Sequence, residues 1–98
     1  MARPRHARRQ RFQHAAGISV RQVGEELFIA APGEGTIHHL DRMAAGIWRL
    51  LAEAKGAEEV IAVVEAAFPD VPKRRIAKDV NDLLAFLEES ELIVRVDG

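Results

Sequence analysis

The fold is decided by residues 36–51, which read TIHHLDRMAAGIWRLL. The first five, Thr36 to Leu40, form a short run that predicts a strand. From Leu40 onward apolar side chains return every three or four positions, which is the spacing of an amphipathic helix. Asp41 lies at the junction, where its carboxylate can accept the free N–H groups of the first helical turn. A strand that runs directly into a capped helix places a sheet edge beside a groove, and such a place suits an extended peptide.

The composition indicates one domain without disulfide or thiol chemistry. The chain has 98 residues, of which 48% are hydrophobic, and a formal net charge of −1. This length is enough for a single core, and the lack of Cys excludes disulfides, thiol catalysis and thiolate metal sites. No apolar run approaches the length of a membrane span, and the N-terminus lacks the apolar segment of a secretory signal. We therefore expect a cytoplasmic protein with no membrane partner.

Residues 1–16 are expected to form a basic, disordered arm ahead of a domain that spans residues 17–98. Five arginines fall in the first eleven residues without an acidic residue among them, and the rest of the chain carries nine Lys and Arg against fifteen Asp and Glu. Such a charge block is typical of a solvated tail, and attraction to nucleic acid or to an acidic protein is the alternative. The acidic body argues against a nucleic-acid partner, because phosphate binding needs Lys and Arg on the docking face.

Three short strands are predicted before the first helix. Residues Ile18–Val23 alternate with period two, and Leu27–Ala31 return as their partner after a reversal at Gly24-Glu25, which predicts a hairpin. A turn cluster of proline and glycines at residues 32–35 separates this hairpin from Thr36–Leu40. The three strands form a predicted antiparallel meander, and at least one of them must be an edge.

The remainder of the chain is predicted to be helical up to a short closing strand. Helices are expected from about Arg42 to Ala54, from Glu58 to Ala67 and from Lys73 to Glu89, separated by a stop glycine and by two prolines. Residues 93–96 then return to strand spacing. The order predicts an α+β fold in which the last two helices and the closing strand have the outline of a winged helix-turn-helix.

Two motifs in this arrangement resemble the PqqD family, which is also described as the RiPP recognition element. The first is the run of residues 36–51, in which Leu-Asp is followed by an alanine-rich helix with Ile-Trp-Arg-Leu-Leu. The second is Asp-Val at 79–80 with leucines at 83, 84 and 87 and Leu-Ile at 92–93. The chain departs from the family pattern at Leu83, where Phe is common, and at Glu91, where Gly is common. The resemblance extends from about Ile18 to Val96.

The resemblance implies a non-catalytic peptide chaperone without a cofactor. Family members bind the leader segment of a ribosomally made precursor peptide and present it to a modifying enzyme, often a radical-SAM protein. An extended leader can pair with the edge of the third strand, while side-chain pockets between that strand and the third helix supply specificity. The peptide-binding residues expected on this basis are Thr36, Ile37, His38, His39, Leu40, Arg75, Lys78, Asp79, Asp82, Leu83 and Phe86.

The helical wheel of the third helix leaves two interpretations of its flank open. Leu83 is expected in the core stripe, whereas Phe86 lies at the margin of that stripe with Arg75, Asp79 and Asp82. Phe86 either closes the core or forms the floor of a peptide pocket. The basic start of this helix, which includes Arg75 and Lys78, is either a solvated face or a means of attracting an acidic leader.

Catalytic and metal chemistry find little support in the sequence. His38 and His39 are adjacent in a strand and point to opposite faces, so they cannot chelate one metal ion together. Trp48 is expected to be a core anchor rather than a ligand platform. Gly33-Glu34-Gly35 is far short of a dinucleotide fingerprint, and no enzyme is predicted.

One alternative function and two oligomeric states remain open. A winged-helix DNA-binding regulator would use the third helix as reader and the arginine arm in the minor groove. Acidic side chains on the exposed surface of that helix count against it, because phosphates would repel them. The exposed strand edge allows either a monomer or a dimer formed through paired edges.

Overall fold

The computed structural model describes residues 10–96, which form an α+β, winged helix-turn-helix-like domain. Residues 1–9, which hold most of the predicted arm, lie outside the described residues, as do residues 97 and 98. The elements in chain order are β1 (Arg11–His14), β2 (Ser19–Val23), β3 (Glu26–Ala30), β4 (His38–Leu40), α1 (Arg42–Leu50), α2 (Ala57–Ala67), α3 (Lys73–Glu89) and β5 (Ile93–Val96).

The predicted meander is present as a three-stranded antiparallel sheet in the order β2-β3-β4. Two residues, Gly24 and Glu25, connect the paired residues Val23 and Glu26. Gly24 is the first of the two turn residues and has a positive φ of 62°. A two-residue hairpin turn requires a positive φ at this position, and glycine adopts it without steric cost. The turn thereby fixes the register of β2 on β3.

A strand within the predicted arm completes the fold. β1 pairs antiparallel with β5 in a separate two-stranded sheet, with Phe12 opposite Arg95 and His14 opposite Ile93. Phe12 also exchanges backbone hydrogen bonds with Lys55, at 2.8 and 3.0 Å, in the loop after α1. The partners of β1 are distant in sequence, so local pattern could not reveal it. Arg11–His14 are therefore structured, contrary to the prediction of a disordered arm.

The three helices begin and end for identifiable reasons. Asp41 caps α1 as predicted, since its carboxylate accepts a hydrogen bond from the Ala44 N–H at 2.9 Å. In α2 the Glu59 carboxylate reaches back to the Gly56 N–H at 2.8 Å. The bounds of α3 agree with the prediction. Helix α1 ends at Leu50 rather than near Ala54, because the chain turns to pair Lys55 with Phe12.

One apolar core joins the helices to the inner face of the sheet. Trp48 is 2% exposed and lies under the sheet in α1, which confirms its expected role as an anchor. Leu83 was expected in the core stripe but is only half-buried, whereas Leu84 beside it is buried. The buried residues are Phe12, Leu27, Ile29, Leu40, Ala45, Ile47, Trp48, Leu51, Val60, Val64, Ile76, Val80, Leu84, Leu87, Leu92 and Ile93.

The turn after α3 explains a departure from the family pattern. The Leu92 N–H donates to the Leu87 carbonyl at 2.9 Å, which is the long hydrogen bond of a Schellman helix end. Glu91 lies inside this turn with a φ of 62°, and it is the one non-glycine residue among residues 10–96 with a positive φ. Glycine is common there in the family because the left-handed conformation carries no side-chain penalty for it.

Replacing Glu91 with glycine should therefore stabilise the protein. We expect Glu91→Gly to raise the free energy of unfolding by about 0.5–1 kcal/mol, because it relieves the left-handed strain of a residue with a Cβ. Urea denaturation of the two variants measures this. The matched control is Glu89→Gly within α3, which should lower stability by about 0.5–1 kcal/mol. Loss of stability in both variants would contradict the strain at residue 91.

Candidate peptide-binding site

The candidate site begins at the edge strand β4. β4 is the last strand of the sheet and pairs with β3 alone among the described residues, with His38 opposite Ile29 and Leu40 opposite Leu27. Its other edge is open in this part of the chain. The predicted strand began at Thr36, whereas β4 begins at His38. Thr36 and Ile37 precede β4 without strand pairing. Gly35, with a φ of 76°, turns the chain immediately before them.

The alternation of β4 places its two histidines on opposite faces, as predicted. His39 lies on the outer face, where its Nε2 is 2.6 Å from Glu26 Oε1 and its ring is 5.0 Å from that of Phe28. His38 is turned inward, on the same face as buried Leu40. Ile37 is 70% exposed beside the edge. The histidines therefore belong to different environments.

His38 and Phe86 meet between β4 and α3. Their ring centroids are 5.4 Å apart in an edge-to-face arrangement, which is a favourable geometry for aromatic rings. Phe86 remains 42% exposed, so it does not close the core fully. Leu83, one turn earlier on α3, is half-buried. We call the place where these side chains lie, between the open strand and the third helix, the β4–α3 cleft.

The buried nitrogen of His38 has no hydrogen-bond partner among the described residues. His38 Nε2 is inaccessible to solvent in the free protein, and Glu34 Oε1 lies 3.8 Å away, which is too far for a hydrogen bond. The ring therefore contacts Phe86 by edge-to-face packing without a hydrogen bond at Nε2 to any described residue. Glu34 was not among the predicted site residues, because it belongs to the turn before β4.

The charged candidates on α3 form a stripe that ends at Phe86. Arg75, Asp79, Asp82 and Phe86 follow one another at steps of four, three and four residues, so they share one side of the helix. Arg75 and Phe86 are eleven positions apart, which corresponds to roughly 16 Å along the axis. The structure brings Phe86 to β4, while it places Arg75 and Lys78 beside a surface depression near the start of α3.

The basic residues on and beside this stripe are paired within the helix. Lys78 Nζ lies 2.7 Å from Asp82 Oδ2, and Arg75 Nε lies 3.6 Å from Asp79 Oδ2. The hydrogen bond with Asp82 raises the pKa of Lys78 above its usual value. All four side chains are substantially accessible to solvent, so these pairs are worth little to stability. They do reduce the net positive charge that the start of α3 presents to a ligand.

Residues 10–96 contain no group of three or more His, Asp or Glu side chains placed to hold a metal ion. None of the helices in the same range is long and apolar enough to cross a membrane.

Comparisons with known proteins give a family and a similar solved structure. The family model described as "Coenzyme PQQ synthesis protein D (PqqD)" matches residues 26–93. A solved structure of TbiB1 in complex with the TbiA(beta) leader peptide is similar to this chain, with a TM-score of 0.74 and 26% sequence identity. The match covers 83% of this chain and 93% of that chain. No curated protein is significantly similar to this chain in sequence.

Two phenylalanines should differ sharply in their contribution to stability. Phe12 is 9% exposed and Phe86 is 42% exposed. We expect Phe12→Ala to lower the free energy of unfolding by about 3–5 kcal/mol and Phe86→Ala to lower it by about 1–2 kcal/mol, in line with the smaller apolar area lost. Urea denaturation of both variants measures the difference. An equal loss would show that Phe86 belongs to the core rather than to an accessible cleft.

Proposed function

The chain belongs to the PqqD family, and on this premise we propose that it is a non-catalytic peptide chaperone. It binds the leader segment of a ribosomally made precursor peptide and presents the peptide to a modifying enzyme. The class of enzyme that the family resemblance implies is a radical-SAM protein. The observation that carries the proposal is the open edge of β4 beside the exposed ring of Phe86. The similarity to a structure that contains a leader peptide supports it.

The proposed mode of binding is strand addition to β4. An extended peptide aligned with Thr36–Leu40 can hydrogen-bond to the free main-chain groups of this edge, and these bonds are insensitive to most side chains of the peptide. Binding of this kind extends the β2-β3-β4 sheet by a fourth strand. Because the strands of a sheet alternate their side chains, every second residue of the leader then faces α3.

Specificity in this proposal comes from the β4–α3 cleft. Leader side chains that face α3 meet Phe86, His38 and Leu83, which favour an apolar residue of the leader. Charged side chains farther along the same helix interact with charges of the leader. They form two ion pairs, Arg75 with Asp79 and Lys78 with Asp82. Since each cation already has an acidic partner, their contribution is to the rate of association and its salt dependence more than to affinity.

The charge of α3 disfavours the DNA-binding alternative. Asp82 and Glu89 are exposed on α3, and Asp79 and Glu88 are partly so. Duplex binding requires cations that are free to neutralise phosphates, whereas Lys78 and Arg75 are engaged by carboxylates of their own helix. α3 carries four Lys or Arg against four Asp or Glu, so it offers no net positive charge to a phosphate backbone.

The same edge that accepts a peptide can accept a second copy of the chain. We propose that the monomer is the form that binds the leader, because pairing of two β4 edges would cover the binding site. Light scattering over a dilution series, with and without the leader, distinguishes the two states. A dimer that persists when the leader is bound would contradict this part of the proposal.

Proline at residue 37 should weaken leader binding through the backbone. The probe is a synthetic leader peptide, chosen from any short precursor peptide found among the neighbouring reading frames and titrated by calorimetry into the full chain. We expect Ile37→Pro to weaken binding about tenfold, because proline removes a donor and distorts the edge, and one main-chain hydrogen bond is worth about 0.5–1.5 kcal/mol.

The matched control for this variant is Ile37→Ala, which removes the same exposed side chain but keeps the N–H. We expect alanine to weaken binding by less than about threefold, since main-chain pairing does not depend on that side chain. Equal losses for the two variants would show that side-chain contact, rather than strand pairing, accounts for the role of residue 37.

A further inference from the structure

A second apolar groove lies away from β4, and we propose that it docks an amphipathic helix of a partner protein whose flanks are acidic. The groove runs between α1, α2 and the β2–β3 turn and encloses a volume of about 460 Å³. We call it the α1–α2 groove. Its apolar lining includes Met43, Gly46, Leu50, Val63, Ala67 and Phe68. The proposal goes beyond leader binding and does not depend on it.

The shape of the groove suits a helix. Along α1 its lining recurs at Met43, Gly46 and Leu50, which covers two turns and roughly 10 Å of the axis. Val63 of α2 faces the same space and is 45% exposed. An amphipathic helix typically enters such a groove with apolar side chains spaced three and four residues apart. A groove of two turns therefore accepts about two or three such anchors.

Gly46 marks where a second backbone can approach. It lies in the middle of α1, and a Cβ built at this position would meet nothing within 4 Å. Its φ is not in the left-handed range either, so neither conformation nor packing among the described residues requires glycine there. Glycine in a helix interior is less favourable than alanine. Because glycine has no side chain, a glycine on the floor of a groove allows another helix to approach closely.

The charged residues at the rim of the α1–α2 groove favour a docked helix of opposite charge. Arg42 is paired with Glu25 at 3.1 Å, whereas Arg49 is exposed and forms no ion pair with any residue between 10 and 96. The charge left on the rim is therefore positive, which favours acidic flanks on the docked helix. The same charge disfavours the arginine-rich first residues of this chain as the occupant.

The position of the groove lets both sites be filled together. Its lining combines Gln22 of β2 and Glu25 of the β2–β3 turn with residues of α1 and α2. None of the residues that line the groove belongs to β4 or α3, so a peptide paired with β4 beside α3 occupies a different space. A protein with both sites can hold a leader and a partner protein at once.

The test uses the full chain and two synthetic helical peptides in an NMR titration. Both peptides carry the same stripe of leucines over four turns, one with glutamate flanks and one with lysine flanks. At a peptide concentration of about 1 mM, which detects weak sites, we expect the glutamate peptide to shift the amides of α1 and α2. The lysine peptide should bind at least tenfold more weakly.

Three variants and one control variant sharpen the outcome. Arg49→Glu should reverse the preference between the peptides, and Gly46→Ala should weaken the glutamate peptide at least threefold while it raises the melting temperature. Val63→Ala should weaken binding, whereas Val94→Ala, which removes a valine of equal exposure (46%) on β5, should not.

Three results would overturn the proposal. The first is equal binding of the two peptides, and the second is binding that shifts only β4 and α3. The third is concentration-dependent dimerisation that Arg49→Glu abolishes, which would assign the groove to a second copy of the chain. Leader affinity measured on the same variants should stay unchanged. A loss of leader binding there would argue against separate sites, whereas failure of leader binding to the unaltered chain would count against the proposed function alone.

Discussion

The junction at Asp41 is the constraint on which the candidate site depends. A single residue separates β4 from α1, and its carboxylate caps the helix through the Ala44 N–H. Leu40 before it and Trp48 after it are both buried in the same core. The strand is thus held from its C-terminal end and from beneath, without any strand on its outer side in the described part of the chain. An edge strand that is anchored in this way can stay ordered without a partner strand on its outer side.

The strand β1 adds contacts to α1, the helix that follows β4. The His14 ring stacks on Trp48 with a centroid distance of 3.7 Å, and its Nε2–H donates to the Trp48 carbonyl at 2.7 Å. β1 in turn pairs with β5, which follows α3. The helix under the sheet and the helix beside the cleft are therefore tied to one another through two short strands. This linkage connects α1, which follows β4, with α3, which carries Phe86.

What the sequence could predict follows from the range of the interactions involved. The hairpin, the Asp41 cap and the bounds of α3 depend on residues within one or two turns of each other, and their patterns were sufficient. Phe86 could be assigned to the flank of α3 by its spacing, but its contact with His38 depends on how β4 and α3 pack. β1 was not predicted because Arg11–His14 pair with β5 and with Lys55, which are distant in sequence. The length of β4 and the partial burial of Leu83 likewise depend on neighbours that are distant in sequence.

The central claim is that the leader peptide becomes a strand beside β4, and isotope-filtered NMR of the complex tests it most directly. The protein is labelled and the leader is not, so that contacts between the two are observed selectively. Strand addition predicts nuclear Overhauser contacts between backbone protons of the leader and those of His38, His39 and Leu40, at the short spacings of paired strands. It also predicts contacts from alternate leader side chains to the Phe86 ring. A bound leader whose backbone contacts only α1 and α2, with β4 unaffected, would contradict the claim.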